Sequence, residues 1–197
     1  MDNKSLARSP VRLGFAMCGS FCTFQPVLEQ MERLASDYEI QPILSETAYT
    51  TDTRFGTAEH FRIQIEGYCN KKILHTVREV EPIGPKELLD LLLIAPCTGN
   101  TLAKLANGIS DSPVTLAAKA HLRNSRPVVI AVSSNDALSA NAKNLGQLLN
   151  TRHLFFVPFR QDDPKQKPAS LVADMSRIPE TISLALQGIQ IQPLLVC

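Results

Sequence analysis

Short apolar runs alternate along the chain with longer segments whose apolar residues recur at helical spacing. The apolar runs predict five strands, at residues 11–17, 39–45, 89–96, 126–134 and 153–158. The segments between and after them predict helices, at residues 24–36, 57–68, 98–107, 112–124, 141–151 and 177–188. The runs at 89–96 and 126–134 are almost continuously apolar, which is typical of strands buried on both faces of a parallel sheet.

This alternation predicts an α/β fold, a doubly wound parallel sheet with helices on both faces in the Rossmann-like manner. Since no repeat or long linker divides the sequence, we predict one domain over residues 1 to 197, with 1 to 10 as a flexible N-terminal segment. Residues 46–56 and 159–170 are predicted as polar loops, and a brief helix is predicted to start at Pro85.

Composition narrows the class of protein. Of the 197 residues, 44% are hydrophobic and 20% are charged, as in soluble globular proteins. A net charge of +1 without a basic block gives no support to a nucleic-acid or membrane partner, and no apolar run reaches spanning length. Five cysteines, an odd number, predict free thiols in a reducing compartment, so we expect a cytoplasmic protein.

The first candidate for chemistry is the segment that follows the first predicted strand. Gly19 and Ser20 lie between strand and helix, where backbone N–H groups and the helix dipole favour an anion. Ser20 and Thr23 would add hydroxyl donors. The same groups also suit a helix cap, so both interpretations stay open. The spacing matches neither the dinucleotide-binding glycine motif nor a phosphate-binding P-loop.

The second candidate is "APCTGNTLAKLANG", residues 95–108. Thr98 or Asn100 could cap the helix that begins there, but a cap needs only one such residue, and Thr101 adds a third. Gly99 would allow close approach of a ligand, and Asn100 offers both a donor and an acceptor. Because parallel strands end at one edge of the sheet, these residues are expected to meet those of a third strand end, 133–136, in one ligand pocket.

A family resemblance adds to this interpretation. The pattern Pro-x-(Ser/Thr)-x-Asn-Thr from Pro96, followed by Lys104, 106–108 and Asp111, is similar to the signature of the flavoprotein family of flavin-dependent cysteine decarboxylases and flavin prenyltransferases. Further matching segments cover nearly all of the chain, at residues 53–56, 81–86, 94–114, 117–129, 133–144 and 157–168. The resemblance implies a doubly wound parallel sheet assembled into trimers or larger rings, with FMN bound at subunit contacts.

The resemblance also implies roles for single residues. Gly19 and Ser20 correspond to the loop that contacts the flavin, and Ser45 corresponds to the end of the second strand. Asn100 corresponds to the asparagine that handles the substrate carboxylate in the decarboxylases, and is the candidate catalytic residue. With the strand-end residues above, the predicted cofactor-binding set is Gly19, Ser20, Thr23, Ser45, Thr98, Gly99, Asn100, Thr101, Ser133, Ser134 and Asn135. No metal site is predicted.

The activity implied by the resemblance is that of one component of a two-subunit oxidoreductase. It converts dihydrodipicolinate to dipicolinate in the mother-cell cytoplasm of a sporulating bacterium, and its partner is a dehydrogenase-like subunit that carries NADP. The methionine-rich substrate clamp of the decarboxylases is missing, and "SSNDALSANAKN" at 133–144 stands near its place. His60 falls in the region of their catalytic histidine, but an ordinary helix position is the competing interpretation. Two alternatives therefore remain: a non-catalytic scaffold that keeps a phosphate- or FMN-binding fold, and an independent flavin-dependent decarboxylase.

Several other reactive side chains have simpler interpretations. Cys18 and Cys22 form a C-x₃-C pair without further ligands for a tetrahedral metal site, which favours buried thiols. Cys97 could be activated by a helix N-terminus, but a packing role is preferred because no base is close in sequence. The remaining candidates are solvated or structural histidines, two possible carboxylate-binding arginines and Asx-type turn residues: His75, His121, His153, Arg54, Arg123, Asp162 and Asp163.

Overall fold

The computed structural model describes residues 10–196, so most of the predicted flexible segment, residues 1–9, lies outside it. Its sheet has seven strands: β1 (Arg12–Met17), β2 (Glu39–Leu44), β3 (Leu91–Cys97), β4 (Val128–Ser134), β5 (Leu154–Phe156), β6 (Phe159–Asp163) and β7 (Lys167–Ala173). The helices are α1 (Phe24–Leu34), α2 (Glu46–Thr50), α3 (Ala58–Cys69), α4 (Val77–Val80), α5 (Gly99–Ala106), α6 (Pro113–Arg123), α7 (Ala142–Leu149) and α8 (Ile178–Ala185).

The strand order β2-β1-β3-β4 is entirely parallel, and the first half of β4 also pairs in parallel with β5. Every residue of β3 and β4 is buried, which explains their nearly continuous apolar sequence. Helix α1 contacts α8, whereas α5 contacts both α6 and α7, so the helices form separate groups that flank the sheet. The predicted α/β fold is confirmed, and none of the helices among residues 10–196 is both long and apolar enough to cross a bilayer.

The sheet is mixed because residues 159–170, predicted as a polar loop, largely form a hairpin. Strands β6 and β7 pair antiparallel, and β7 adds to the end of β4 through Ser133 and Ser134. Asp163 accepts hydrogen bonds from the backbone N–H groups of Lys165 and Gln166, both at 3.0 Å, and this Asx turn confirms the interpretation of that residue. Most side chains from Arg160 to Pro168 are exposed, so the hydrophobic pattern carried no strand signal there.

Two helix predictions were wrong, for reasons of local capping. Ser45 accepts a hydrogen bond from the backbone N–H of Ala48 and starts α2 inside the predicted loop. A capping box between Thr76 and Glu79 starts α4 at Val77, eight residues before the predicted start at Pro85. The capping box is visible in the sequence as Thr-x-x-Glu, but the helix that it starts has only four residues and no periodicity.

An ion cluster ties the amino ends of the strands together, at the opposite edge from the polar strand ends. Arg12 binds Asp90 through its backbone N–H at 2.9 Å and its guanidinium at 2.6 Å, and Arg126 lies 3.5 Å from the same carboxylate. The hydrogen bonds from Arg12 lower the pKa of Asp90. A carboxyl group with a lowered pKa in the folded state stabilises the fold above its unfolded pKa of about 4, and this contribution is lost as the pH falls further.

We expect Asp90→Ala to reduce the free energy of unfolding by roughly 1–2 kcal/mol at pH 7, because the Arg12 donors lose their partner at a partly exposed site. Urea unfolding at pH 7 measures this. The matched control is Glu180→Ala, which removes an exposed pair with Arg177 and should cost roughly 0–0.5 kcal/mol. Equal effects of the two substitutions would contradict this role for the cluster.

Candidate functional site

The polar segments that follow β1, β3 and β4 meet at the carboxyl edge of the sheet. The Ser20 and Ser133 hydroxyls lie 2.8 Å apart, joining the first segment to the end of β4. The Thr101 hydroxyl donates to the Cys18 thiol at 3.2 Å, joining α5 to the end of β1. The predicted convergence of strand ends is therefore present as direct side-chain contacts.

Ser20 and Thr23 do not cap α1 with their side chains. A short 3₁₀ turn, Phe21–Thr23, separates Ser20 from α1, and neither residue makes a side-chain cap bond. The Thr23 hydroxyl donates instead to the Ser20 carbonyl at 2.8 Å, while the Ser20 hydroxyl faces Ser133. Of the two interpretations of this loop, side-chain capping is wrong, and the hydroxyls are turned toward the shared edge.

In the second segment Thr98 is the cap. Its hydroxyl accepts from the Thr101 backbone N–H at 3.4 Å and lies 3.1 Å from the Thr101 hydroxyl. Asn100, at the second position of α5, has no part in this cap and is exposed. The duplication of capping residues in the sequence is thereby explained: one is used for the helix and the other is available to a ligand.

Gly99 is required by the protein's own side chains, which differs from the expected role of admitting a ligand. A Cβ atom at this position would lie 2.5 Å from Asp136 Oδ1, 2.6 Å from Ser134 Oγ and 2.8 Å from Asn141 Nδ2. These groups bind one another: Ser134 donates to Asp136, and Asn141 donates to Asp136 Oδ2 at 2.6 Å. We call Ser134, Asp136, Asn141 and Asn144 the amide–carboxylate network; Asn144 donates to Asn141 at 2.8 Å.

Two adjoining cavities occupy the edge, and all eleven predicted residues line one or both. The hairpin-side cavity, about 610 Å³ and bordered by β6 and β7, contains nine of them: Gly19, Ser20, Thr23, Thr98, Gly99, Asn100, Ser133, Ser134 and Asn135. The α2-side cavity, about 730 Å³ and bordered by the start of α2, contains five: Gly19, Ser45, Thr98, Asn100 and Thr101. Gly19, Thr98 and Asn100 line both, so they form the boundary between the cavities.

The lysines of both cavities are neutralised by carboxylates. Lys104 Nζ lies 2.8 Å from Asp111 in the α2-side cavity, and Lys167 Nζ lies 2.7 Å from Asp162 in the hairpin-side cavity. Hydrogen bonding to Lys104 lowers the pKa of Asp111, so this pair stays charged at neutral pH. An anion in either cavity would therefore depend on hydroxyls, amides and helix N-termini, or on cations from another chain.

The buried cysteines at this edge are unreactive. Burial raises the pKa of the Cys18 thiol to about 11 and raises the pKa of Cys97 well above its ordinary value, so both are protonated at neutral pH. Cys97 is fully buried in the core, which fits the packing interpretation. Cys22 is exposed, so it does not fit the expectation of a buried thiol pair with Cys18.

Other sequence candidates lie away from the cavities. His60 is an exposed residue on α3, and Arg54 lies over the neighbouring Phe55 ring at 4.9 Å. Arg123 is exposed at the end of α6 and borders a separate hollow of about 290 Å³. Among the described residues that line the two cavities, none of these three is present.

Three cavity residues are absent from the predicted site. Tyr49 and His75 line the α2-side cavity with stacked rings, and Asp136 lies beneath Gly99. The sequence predicts a loop at Tyr49 and shows His75 only as an isolated histidine. A local signal does exist in the Thr-x-x-Glu capping box that directly follows His75, because it fixes the backbone there.

The chain belongs to the Flavoprotein family, whose sequence profile matches residues 2–184. It is 46% identical over 186 residues to the second subunit of dipicolinate synthase of Bacillus subtilis (strain 168), covering 94% of this chain and 93% of that protein. A crystal structure of the same dipicolinate synthase subunit from Bacillus halodurans superimposes with a TM-score of 0.87 at 45% identity, covering 95% of this chain and 96% of the other.

More distant structures share the fold. Burkholderia xenovorans DmrB, described as a cubic protein cage for redox transfer in complex with FMN, aligns with a TM-score of 0.66 at 17% identity. The alignment covers 91% of this chain and 97% of that one. At this identity the likeness concerns the arrangement of helices and strands alone.

Proposed function

We propose that the chain is the second component of a dipicolinate synthase, which acts with the dehydrogenase-like first component to convert dihydrodipicolinate to dipicolinate. The observation that carries the proposal is the 46% identity to the corresponding dipicolinate synthase subunit over 94% of the chain. The polar strand-end edge with its two cavities supports it, because the chain keeps a built ligand site and not only the fold.

FMN is the cofactor that we propose for this site. The α2-side cavity offers the Ser45 and Thr98 hydroxyls beside a flat wall, where the Tyr49 and His75 rings stack 3.7 Å apart. Hydroxyls and a helix N-terminus suit a phosphate, and an aromatic face suits a planar ring, so these residues fit the group. Bound FMN would supply a hydride acceptor. Gly19, Ser20 and the other predicted residues would hold it, and NADP would belong to the dehydrogenase-like partner.

Asn100 is the residue that we propose to contact both ligands. It lies on the boundary of the two cavities, is exposed, and presents an amide that can donate to a carboxylate. Its role would be to bind and orient the substrate carboxylate beside the cofactor. A single amide supplies no charge, so a dicarboxylate would need cations from elsewhere.

A second candidate is a scaffold that presents cofactor or substrate to the dehydrogenase-like partner without chemistry of its own. The pairing of Lys104 with Asp111 and of Lys167 with Asp162 favours it, because both lysines of the cavities are already neutralised. The independent decarboxylase stays a weaker alternative. We also propose a homo-oligomer, a trimer or a multiple of it, in the mother-cell cytoplasm of a sporulating bacterium.

The test is dipicolinate formation by the dehydrogenase-like partner alone, by this chain alone and by the mixture, with flavin absorbance recorded for each. We expect activity only in the mixture and flavin on this chain. Full activity of the partner alone would overturn the proposed role of this chain. A mixture that is active while this chain carries no flavin would favour the scaffold, and carbon dioxide release by this chain alone would favour the decarboxylase.

Asn100→Asp sharpens this test. A carboxylate at the boundary would repel both a phosphate-bearing cofactor and a dicarboxylate, so we expect about 10- to 100-fold weaker binding of FMN or dipicolinate by fluorescence titration. The control is Asn150→Asp, the same charge change at the exposed C-terminus of α7. Unchanged affinity in Asn100→Asp would remove Asn100 from the site.

A further inference from the structure

The α2-side cavity contains an acid–base arrangement that the function above does not use. His75 lines this cavity, and its ring is stacked on Tyr49 with the two ring planes only 4° apart. The ring atom Nδ1 is buried and lies 3.4 Å from Glu79 Oε2. Since Nδ1 is covered, the open part of the ring is the edge that carries Nε2.

The carboxylate behind the ring is held in place from several sides. Glu79 Oε2 accepts from the backbone N–H of His75 at 3.0 Å, and from the backbone N–H and hydroxyl of Thr76, both at 2.9 Å. The first of these bonds, with the others, lowers the pKa of Glu79, so the group is a carboxylate throughout the neutral range. A histidine with one nitrogen against a fixed carboxylate and the other edge toward a cavity is the usual arrangement of a proton-transfer group.

The charges that face His75 come from three other elements. Arg62 of α3 lies over the Tyr49 ring at 4.6 Å and donates to the Tyr49 carbonyl at 3.1 Å. Glu46 at the start of α2 and the Lys104–Asp111 pair line the same cavity. Arg62 opposes a second positive charge on the stack, whereas Glu79 supports it, which suits a ring that takes up a proton and releases it again.

We propose that His75 is the proton acceptor of the oxidation, with Glu79 as its positioning residue; this rests on the proposed function. When the dihydropyridine ring becomes aromatic it loses two hydrogens. One C–H bond breaks with its electron pair, which leaves as hydride to an oxidised nucleotide cofactor, FMN on this chain or NADP on the partner. The other hydrogen leaves as a proton to Nε2 of His75, and its electron pair stays in the ring.

The test compares His75→Gln, Glu79→Gln and the control His60→Gln in the complex with the dehydrogenase-like partner. We expect His75→Gln to lower kcat about 10²- to 10⁴-fold with KM within about threefold of wild type, and His60→Gln to change neither. Glu79→Gln keeps a capping oxygen but removes the charge, so the acidic limb of the kcat profile should move to lower pH. Wild-type kcat in His75→Gln, or an unmoved limb in Glu79→Gln together with full activity, overturns the proposal.

A second readout does not depend on turnover. Diethylpyrocarbonate modification of the wild-type chain, followed by peptide mass spectrometry, should show that dipicolinate protects His75 and leaves the exposed His60 unprotected. An active wild-type complex with equal modification of both histidines would overturn the assignment of His75 while the proposed function stands. An inactive wild-type complex would overturn the proposed function and this step with it.

Discussion

Replacing Gly99 by alanine is expected to lower the free energy of unfolding by about 1–3 kcal/mol and to weaken FMN retention together with it. The new Cβ would lie within 2.8 Å of three atoms of the amide–carboxylate network, so either α5 or the network must move. Asp136 Oδ2 is fixed by Asn141 at 2.6 Å, and Asn141 and Asn144 are buried, so the network has little room to give. Moving α5 would displace Thr98 and Asn100 at the cavity boundary.

Gly146→Ala is the matched control for that substitution. Gly146 is an exposed residue of α7, and no atom lies within 4 Å of the position that an added methyl group would take. Alanine there should therefore stabilise the helix by about 0.5–1 kcal/mol. Urea unfolding at pH 7 and flavin absorbance after gel filtration give both readouts. A Gly99→Ala protein as stable as wild type would mean that the network does not constrain α5.

Mild acid is expected to destabilise the fold through one buried histidine. Burial lowers the pKa of His121 to about 4, and the nearby positive charge of Arg126 adds to this effect. The unfolded chain takes up this proton near pH 6.5 and the folded chain only near pH 4, so stability falls as the pH drops between these values. The two values give a loss of about 2 kcal/mol between about pH 7 and pH 5.

The variant His121→Leu should remove most of that dependence, because leucine fills a similar volume without a titrating group. We expect it to be more stable than wild type at pH 5, measured by urea unfolding at pH 7, 6 and 5 and at constant protein concentration. His60→Gln removes an exposed histidine and should keep the wild-type slope. If His121→Leu also keeps that slope, the acid sensitivity has another source, such as the carboxylate of Asp90 at still lower pH.

Hydrophobic pattern was enough for the parallel part of this fold but not for its additions. Strands β3 and β4 are buried on both faces, so their sequence had no polar interruption and their ends were easy to place. The hairpin of β6 and β7 presents mostly polar side chains to solvent and is held by backbone pairing, which leaves no period in the sequence. Helix α4 depends on a capping box of two residues.

The candidate site divides along the same line. All eleven residues predicted from strand ends and from the family resemblance line the cavities, because the ends of parallel strands must meet. His75 and Asp136 depend on contacts with other segments, the first with Tyr49 and the second with Asn141 and the start of α5. Nothing in the residues next to them indicates those partners.

The shared wall of Gly19, Thr98 and Asn100 makes the two cavities thermodynamically dependent on each other. A ligand that orders Asn100 toward one cavity withdraws the same amide from the other, so the dissociation constants on the two sides must be linked. Linkage is reciprocal: whatever factor a nucleotide on one side imposes on a dicarboxylate on the other, the dicarboxylate imposes on the nucleotide. The edge of this sheet is therefore one coupled binding unit with two compartments.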